Sequence, residues 1–239
     1  EIVVTASLRP AGIGDFPVST TVLDAGALEA AGLQHLQDVL GLVPNLNWSG
    51  GTSRPRYFQL RGVGELEQYQ GAPNPSVGFL IDDIDFSGVG MPATSFDVEQ
   101  VEVLRGPQGT RYGANALAGL INVRTRDARP EHELHTELTA GEDGMLSAGI
   151  VAGGALGFAG PQQGAWRVAV QQAESDGFRH NRYLGRDDTN GRDELTVRAR
   201  LALEPAVDWH AGLTLLHADL DNGFDAFAVD NSFDTRSDR

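Results

Sequence analysis

Hydrophobic and polar residues alternate one by one in five segments after residue 130. Four segments span residues 131–141, 145–156, 194–203 and 209–220, and the other surrounds Trp166. The clearest segment sets Leu195, Val197, Ala199, Leu201 and Leu203 against Glu194, Thr196, Arg198 and Arg200. Because successive side chains of a strand point to opposite faces, this alternation predicts β-strands. Strands of about ten residues with one apolar face are typical of a transmembrane β-barrel.

The connections between these segments alternate in length. The links around Pro161 and Pro205 are shorter than the stretch 176–193 and the tail after the last segment, as expected for periplasmic turns and exterior loops. Trp166 and Trp209 each follow a short link, where an aromatic girdle is expected. Five strands cannot close a barrel, and transporters with a plugged lumen use about 22 strands. We therefore expect an incomplete barrel in an incomplete chain.

The residues before 126 follow a different pattern. Asp24 predicts a helix N-cap, and apolar residues recur at helical spacing over 33–43 until Pro44 ends the segment. Short β-prone segments lie at residues 47–49, 57–61, 77–81 and 98–104. The expected fold class is an α+β domain with a small mixed sheet and short helices, followed by antiparallel strands of an incomplete transmembrane β-barrel.

Residues 96–125, FDVEQVEVLRGPQGTRYGANALAGLINVRT, form the most specific pattern of the chain. A valine-rich strand ends at Arg105-Gly106-Pro107, because proline cannot continue a ladder. Glycines punctuate the turn that follows, and residues 120–123 return to extended structure. Spacing alone leaves an ordinary hairpin with a long loop equally open.

The stretch VEVLRGPQGTRYGANALAGLINVRT resembles the closing motif of the plug domain of TonB-dependent outer-membrane receptors. Residues 57–62, YFQLRG, resemble that family's second arginine-glycine strand, and residues 77–84, VGFLIDDI, resemble its central hairpin. The resemblance implies three parts. They are a TonB box and linker at 1–15, a plug domain at 16–126, and the first part of a barrel, about five strands, at 127–239.

The first residues, EIVVTASL, resemble a TonB box formed by Ile2, Val3, Val4 and Thr5. An extended, β-branched segment suits this role, because it can add as a strand to the sheet edge of a partner. The partner implied is periplasmic TonB, energised by ExbB and ExbD. A plain edge strand of the plug remains the alternative.

Arg61 and Arg105 each precede a glycine at the end of a β-prone segment. By resemblance, such arginines face acidic residues of the barrel wall and form a charge lock between plug and barrel. Buried ion pairs of this kind specify geometry more than they stabilise. Local pairing with Glu99 or Glu102 is the alternative.

Three loops at residues 50–55, 64–75 and 87–94 face outward by resemblance. The candidate ligand-binding residues in these loops and at their ends are Arg54, Arg56, Tyr69, Gln70 and Met91. Cationic, aromatic and amide groups together suit an anionic chelate or a polar organic ligand. Each residue also fits an ordinary exposed loop position.

Candidate metal ligands have structural explanations. Asp82, Asp83 and Asp85 resemble the tight turn of the family's hairpin, where aspartate tolerates the backbone. Residues 219–223 lack the full ligand spacing and closing glutamate of a calcium loop. His35 is expected to be a partly exposed surface residue on a helix. We expect no metal site and no cofactor.

Composition and charge limit the functions that the protein can have. A formal net charge of −15 argues against nucleic acid as a partner. The chain has no cysteine, which excludes thiol catalysis, and its sequence contains no GxxxxGK[ST], HExxH or GxSxG motif. No run approaches the roughly 18 apolar residues of a membrane-spanning helix, so membrane insertion would depend on strands. We expect no enzymatic activity.

The resemblance implies TonB-dependent active transport across the outer membrane of a Gram-negative cell, with outer-membrane lipid around the strands. The cargo is a scarce solute, most often a ferric siderophore in this family. The same scaffold carries cobalamin, haem or carbohydrate in other members. A non-transporting outer-membrane binding or adhesion protein is the alternative from another class.

Overall fold

The computed structural model describes residues 3–4, 11–12, 18–32, 34–51, 53–66, 75–90, 94–109, 115–156, 164–206, 209–225 and 236–237. The chain divides into two compact units, Glu1–Arg126 and Asp127–Arg239. Within the described ranges, no helix is long and apolar enough to cross a membrane.

The first unit combines short strands with two short helices. In chain order these are β1 (Val3–Val4), β2 (Ala11–Gly12), β3 (Ser19–Asp24), α1 (Ala25–Ala31), α2 (Leu36–Leu40), β4 (Leu46–Ser49), β5 (Tyr57–Leu60), β6 (Val77–Ile81), β7 (Ile84–Asp85), β8 (Val98–Arg105) and β9 (Gly119–Thr125). The main sheet has the order β3-β8-β9-β6-β7, with β6 and β9 parallel and the other pairs antiparallel. The mixed sheet is therefore confirmed, although β4 and β5 pair as a separate ribbon.

Local signals place the two helices. The Asp24 side chain accepts a hydrogen bond from the backbone N–H of Ala27 (2.9 Å), so its predicted capping role is confirmed. Gly32 ends α1 with a φ of +65°, a left-handed conformation that glycine adopts at little cost. His35 is buried and caps α2 through Nδ1, so the prediction of a partly exposed surface residue is wrong.

The main core of this unit lies on one face of the mixed sheet. Phe58 and Phe79 meet there with ring centroids 5.3 Å apart, among the leucine and valine side chains of α2 and the central strands. Gly119 permits close approach of the ribbon, because an added Cβ would collide with Leu60 and with the carbonyl oxygen of Leu104. A smaller cluster on another part of the sheet contains Leu80, Leu104 and Leu120.

The second unit is a five-stranded antiparallel sheet with the order β10-β11-β12-β14-β15. Its strands are β10 (Glu133–Ala140), β11 (Leu146–Ala155), β12 (Gly164–Ser175), β14 (Arg192–Ala206) and β15 (Trp209–Asn222). A short parallel pair, β13 (His180–Asn181) with β16 (Arg236–Ser237), lies outside this sheet. Each strand coincides with a predicted alternating segment, and the expected fold class is confirmed.

The two faces of this sheet have an unusual burial pattern. On the polar face Arg167 is only 5% exposed, whereas Leu138 on the apolar face is 81% exposed. A water-soluble sheet buries its apolar face instead. The inverted pattern is that of a strand layer whose apolar side faces lipid.

Pairing on the polar face depends on the strand register. Glu133, Gly153 and Arg167 lie in one cross-strand row. Because Gly153 has no side chain, Arg167 reaches past it and binds the Glu133 carboxylate at 2.6 Å. Arg200, next in the row, pairs with Asp127 at 2.8 Å. Both arginines of this row are thus paired with a carboxylate.

Candidate functional site

The three predicted outward loops of the first unit are connected to one another. Arg56 donates two hydrogen bonds to the carbonyl oxygen of Gly88, from Nε (3.4 Å) and Nη2 (3.1 Å). The Glu65 carboxylate accepts hydrogen bonds from the backbone N–H and the hydroxyl of Ser76 (2.8 and 2.6 Å). Gly88 also lies close to Pro75, since a Cβ added to this glycine would be 3.4 Å from the proline Cγ. Described parts of the three loops and their flanks therefore lie close together.

Arg54 and Arg56 flank the same glycine in these loops. A Cβ built on Gly90 would lie 3.5 Å from Arg56 Cγ and 3.6 Å from Arg54 Cζ. The guanidinium carbon of Arg56 also lies 5.8 Å from the ring centroid of Tyr57. Both arginines are half-buried, which restricts the positions that their charges can take.

Exposed apolar side chains also occur in these loops and their flanks. Val63, Leu66 and Val89 are all more than half exposed. Sequence reasoning did not single out these three residues, because isolated apolar positions in a loop have no periodicity. Tyr69, Gln70 and Met91, the other predicted ligand-binding residues, lie outside the described residues.

The two candidate lock arginines lie close together. Arg61 donates a hydrogen bond from Nη2 to the Ser19 hydroxyl (2.9 Å), and Arg105 donates to the Thr21 hydroxyl (2.9 Å) and the Pro44 carbonyl oxygen (3.0 Å). Partial burial lowers the pKa of Arg105, and the positive charge of Arg61 lowers it further. Like charges held side by side by neutral acceptors form a surface that favours an anion.

Glu99 and Glu102 are the acidic residues suggested as local partners of these arginines, and both lie on strand β8. Glu102 is fully buried and accepts hydrogen bonds from the side-chain amides of Gln100 (2.5 Å) and Asn122 (3.0 Å). Buried carboxylates need such donors. Glu99 is half-buried on the same strand.

The candidate TonB-binding segment pairs with residues of the predicted linker that follows it. Val3 and Val4 of β1 pair antiparallel with Gly12 and Ala11 of β2. Val4 is completely buried in the smaller apolar cluster, against Leu80, Leu104 and Leu120. Ile2 and Thr5 lie outside the described residues.

The aspartates of the β6–β7 hairpin have structural roles. Asp82 and Asp83 adopt φ values of +48° and +65°, as a tight hairpin turn requires. Asp82 accepts hydrogen bonds from the backbone N–H (2.9 Å) and the hydroxyl (2.6 Å) of Thr125, and Asp83 pairs with Arg124 at 3.0 Å. The hairpin is thereby fastened to the end of β9.

The family model described as TonB-dependent Receptor Plug Domain matches residues 13–120. The chain belongs to the TonB-dependent receptor family. Among curated relatives, the pesticin receptor of Yersinia pestis is 30% identical over 213 residues, which cover 85% of this chain and 30% of the relative. The vitamin B12 transporter BtuB of Vibrio vulnificus (strain CMCP6) is 30% identical over 173 residues, 66% of this chain and 27% of the relative. This receptor chain thus spans less than a third of the length of these relatives.

Solved structures share the fold of this receptor chain. The ferric yersiniabactin uptake receptor FyuA from Yersinia pestis superposes with a TM-score of 0.71 at 27% identity, over 84% of this chain and 31% of that chain. The pyoverdine outer membrane receptor FpvA from Pseudomonas aeruginosa PAO1 gives a TM-score of 0.72 at 19% identity, over 91% and 30%. At that identity the second comparison supports the fold alone.

Proposed function

We propose that this protein is a TonB-dependent active transporter of the outer membrane. The plug motif that ends at residue 125 carries this proposal, together with the sheet that follows it. In this arrangement residues 1–15 are the TonB box and linker, residues 16–126 are the plug, and residues 127–239 belong to the barrel wall. The exposed leucines of the second unit face outer-membrane lipid, where their burial is favourable.

We call the three outward loops at residues 50–55, 64–75 and 87–94 the apical surface of the plug. The side chains of this surface suit an amphipathic anion as the solute. Arg54 and Arg56 supply positive charge at restricted positions, and Val63, Leu66 and Val89 supply apolar contact. Charge-assisted hydrogen bonds from guanidinium groups suit carboxylate, phenolate or catecholate oxygens. A ferric siderophore combines such oxygens with apolar or aromatic parts, and the solved structure of FyuA is named as a ferric yersiniabactin uptake receptor. Tyr69, Gln70 and Met91 belong to the same surface in this proposal.

Cobalamin is the second candidate solute, because relatives named as vitamin B12 transporters match up to 94% of this chain. The apical chemistry separates the two candidates. Two arginines at one glycine favour an anionic complex over an uncharged one.

Coupling to TonB would use residues 2–5. A partner strand added to this segment gains main-chain hydrogen bonds that are individually weak, about 1 kcal/mol each, so contact stays reversible. TonB, with ExbB and ExbD, would supply the work. Arg61 and Arg105 would lock the resting plug against acidic groups of the barrel, and no covalent chemistry is required.

Uptake experiments test the proposal. Cells that depend on this receptor take up a radioactive ferric tris-catecholate, a trianionic aromatic complex, and cyanocobalamin is the uncharged comparison. We expect catecholate uptake that stops on deletion of residues 1–8 while surface binding persists. The double variant Arg54→Ala, Arg56→Ala loses binding, whereas the matched change Arg129→Ala outside the apical loops retains it. Binding without TonB-dependent uptake would favour the passive binding or adhesion protein instead.

A further inference from the structure

Two polar side chains lie on the sheet face against which the N-terminal strand β1 packs. In the main sheet, one cross-strand row consists of Val22, Glu102, Asn122 and Leu80. Because residues paired across a sheet have side chains on the same face, the two polar groups share the face of Val22 and Leu80. Val4 of β1 is buried against Leu80 on that face. We call this packed arrangement the seated position of β1; it lies next to the polar pair.

One polar atom of the pair is buried without a hydrogen bond. Asn122 is 1% exposed, and its Nδ2 donates a hydrogen bond to Oε2 of the completely buried Glu102 (3.0 Å). Within the part of the chain that the structure describes, no donor reaches Asn122 Oδ1, although this oxygen is buried. Water would satisfy such an oxygen, so its burial destabilises the state in which it is covered.

The apolar contacts of β1 act in the opposite direction. Val4 is completely buried, and so are Leu104 and Leu120 of the same cluster. Burial of these side chains favours the seated position. Departure of β1 exposes them to water, but it also opens the face that carries Asn122. The apolar cluster and the polar pair therefore bias the same step in opposite directions.

We propose that the Glu102–Asn122 pair sets how readily β1, and with it the candidate TonB-binding segment, leaves the plug. Asn122 Oδ1 destabilises the seated position and gains a water donor only after β1 has left. Asn122 is thus a positioning residue, because it acts through β1 and contacts neither TonB nor the solute. The consequence for TonB rests on the proposed function, whereas the seating of β1 depends only on contacts within the plug.

A single and a double substitution distinguish this role from an ordinary contribution to packing. Asn122→Leu keeps the branched shape but removes the donor to Glu102, so a buried carboxylate loses a hydrogen bond and β1 should leave more readily. Adding Glu102→Met replaces both polar groups by apolar side chains of similar shape, which should seat β1 more firmly than in the wild type. Gln100, the other donor to Glu102, is half-buried and can bond water instead. Loss of packing predicts no such reversal of sign.

Cysteine labelling measures how often β1 leaves. These 239 residues contain no cysteine, so Val4→Cys in the intact receptor gives one reporter in the N-terminal peptide. Its reaction with a water-soluble maleimide is followed by mass spectrometry in outer-membrane fragments that are open on both sides. On this background we expect Asn122→Leu to accelerate labelling about tenfold, and the double variant with Glu102→Met to slow it about tenfold. Glu99→Gln removes a charge at a half-buried position of the same strand and should leave the rate unchanged.

A second reporter separates departure of β1 from opening of the whole plug. Val101 is completely buried in the main core, so Val101→Cys is labelled only when that core opens. We expect the reversal of sign at Val4 and not at Val101. Equal changes at both positions would overturn the inference, and so would a double variant in which Val4→Cys is labelled at least as fast as with Glu102 and Asn122 intact.

Crosslinking of Val4→Cys to the periplasmic domain of TonB tests the consequence for coupling. We expect the crosslinking yield to rise with Asn122→Leu and to fall in the double variant, in the same order as the labelling rates. Yields that do not follow these rates would overturn control of TonB access by the pair. A receptor that never crosslinks to TonB, but still shows the reversal in labelling, would refute the proposed TonB coupling and leave the seating of β1 supported.

Discussion

The bond between Thr125 and Asp82 offers a quantitative test of how the plug is held together. Thr125 is 2% exposed, and its hydroxyl donates to Asp82 Oδ2 at 2.6 Å. Thr125→Val removes this donor with almost no change in volume, while the backbone N–H of residue 125 still reaches Oδ1. The buried carboxylate then loses one of the two donors from β9. We expect a loss of about 1.5–3 kcal/mol, the usual range for a hydrogen bond to a charged group.

Native-state hydrogen exchange in the intact receptor measures this loss. A change of 1.5–3 kcal/mol corresponds to exchange about 10- to 150-fold faster for amides of β6 and β9 that exchange by opening of the plug. Thr125→Ser keeps the hydroxyl and should stay close to the wild type. Equal exchange in the valine and serine variants would refute the assignment of this energy to the hydroxyl. Faster exchange confined to the second unit would refute the local reasoning.

Three further predictions concern other parts of the chain. Gly119→Ala should destabilise the plug by more than 1 kcal/mol on thermal unfolding, because the added Cβ collides with the Leu104 carbonyl oxygen and nothing flexible can yield. Burial opposes ionisation of Asp85, but hydrogen bonds from Ser87 and Asn115 outweigh it and lower its pKa below 3.8. Its ionised form therefore stabilises the plug above about pH 3.8, and this contribution is lost as pH falls through the lower folded pKa; acid titration of Asp85→Asn should lack that loss. Leu215→Arg on the exposed apolar face should make the free energy of folding into lipid vesicles less favourable by up to about 2–4 kcal/mol. Thr214→Glu, which places a charge opposite Arg200 on the other face, should not.

The strands after residue 130 were predictable because their signal is local. Alternation fixes both the extended backbone and the two faces of each strand. Alternation does not say which face is covered, since a soluble sheet and a barrel wall share the pattern. The 5% exposure of Arg167 against 81% for Leu138 supplies that information.

Helix α2 shows the limit of local patterns in the plug. Apolar spacing predicted a helix over 33–43, but the helix spans only Leu36–Leu40. Its start is fixed by the buried His35 cap, and Gly32 had already ended the preceding helix. Strand β3 was not predicted, although Thr20, Thr21 and Val22 are β-branched; its partner β8 lies about 80 residues away in the sequence.

The candidate sites depend on contacts that are distant in sequence. Arg56 bonds Gly88 across 32 residues, and Arg105 bonds Thr21 across 84. Arg167 meets Glu133 only because the register places Gly153 between them. Residue types could therefore be proposed from the resemblance, but their partners could not.

The smaller apolar cluster joins the candidate TonB-binding segment to the strand that carries Arg105. Val4 belongs to the candidate TonB-binding segment, and it is buried against Leu104, the residue before Arg105. The same strand that ends in a candidate lock arginine therefore supports the N-terminal segment. A pull that extracts Val4 exposes apolar surface next to Leu104, at a cost of about 1.5–3 kcal/mol for a side chain of this size. Such a cost is small compared with the stability of a domain, so extraction of Val4 can precede any larger rearrangement of the plug.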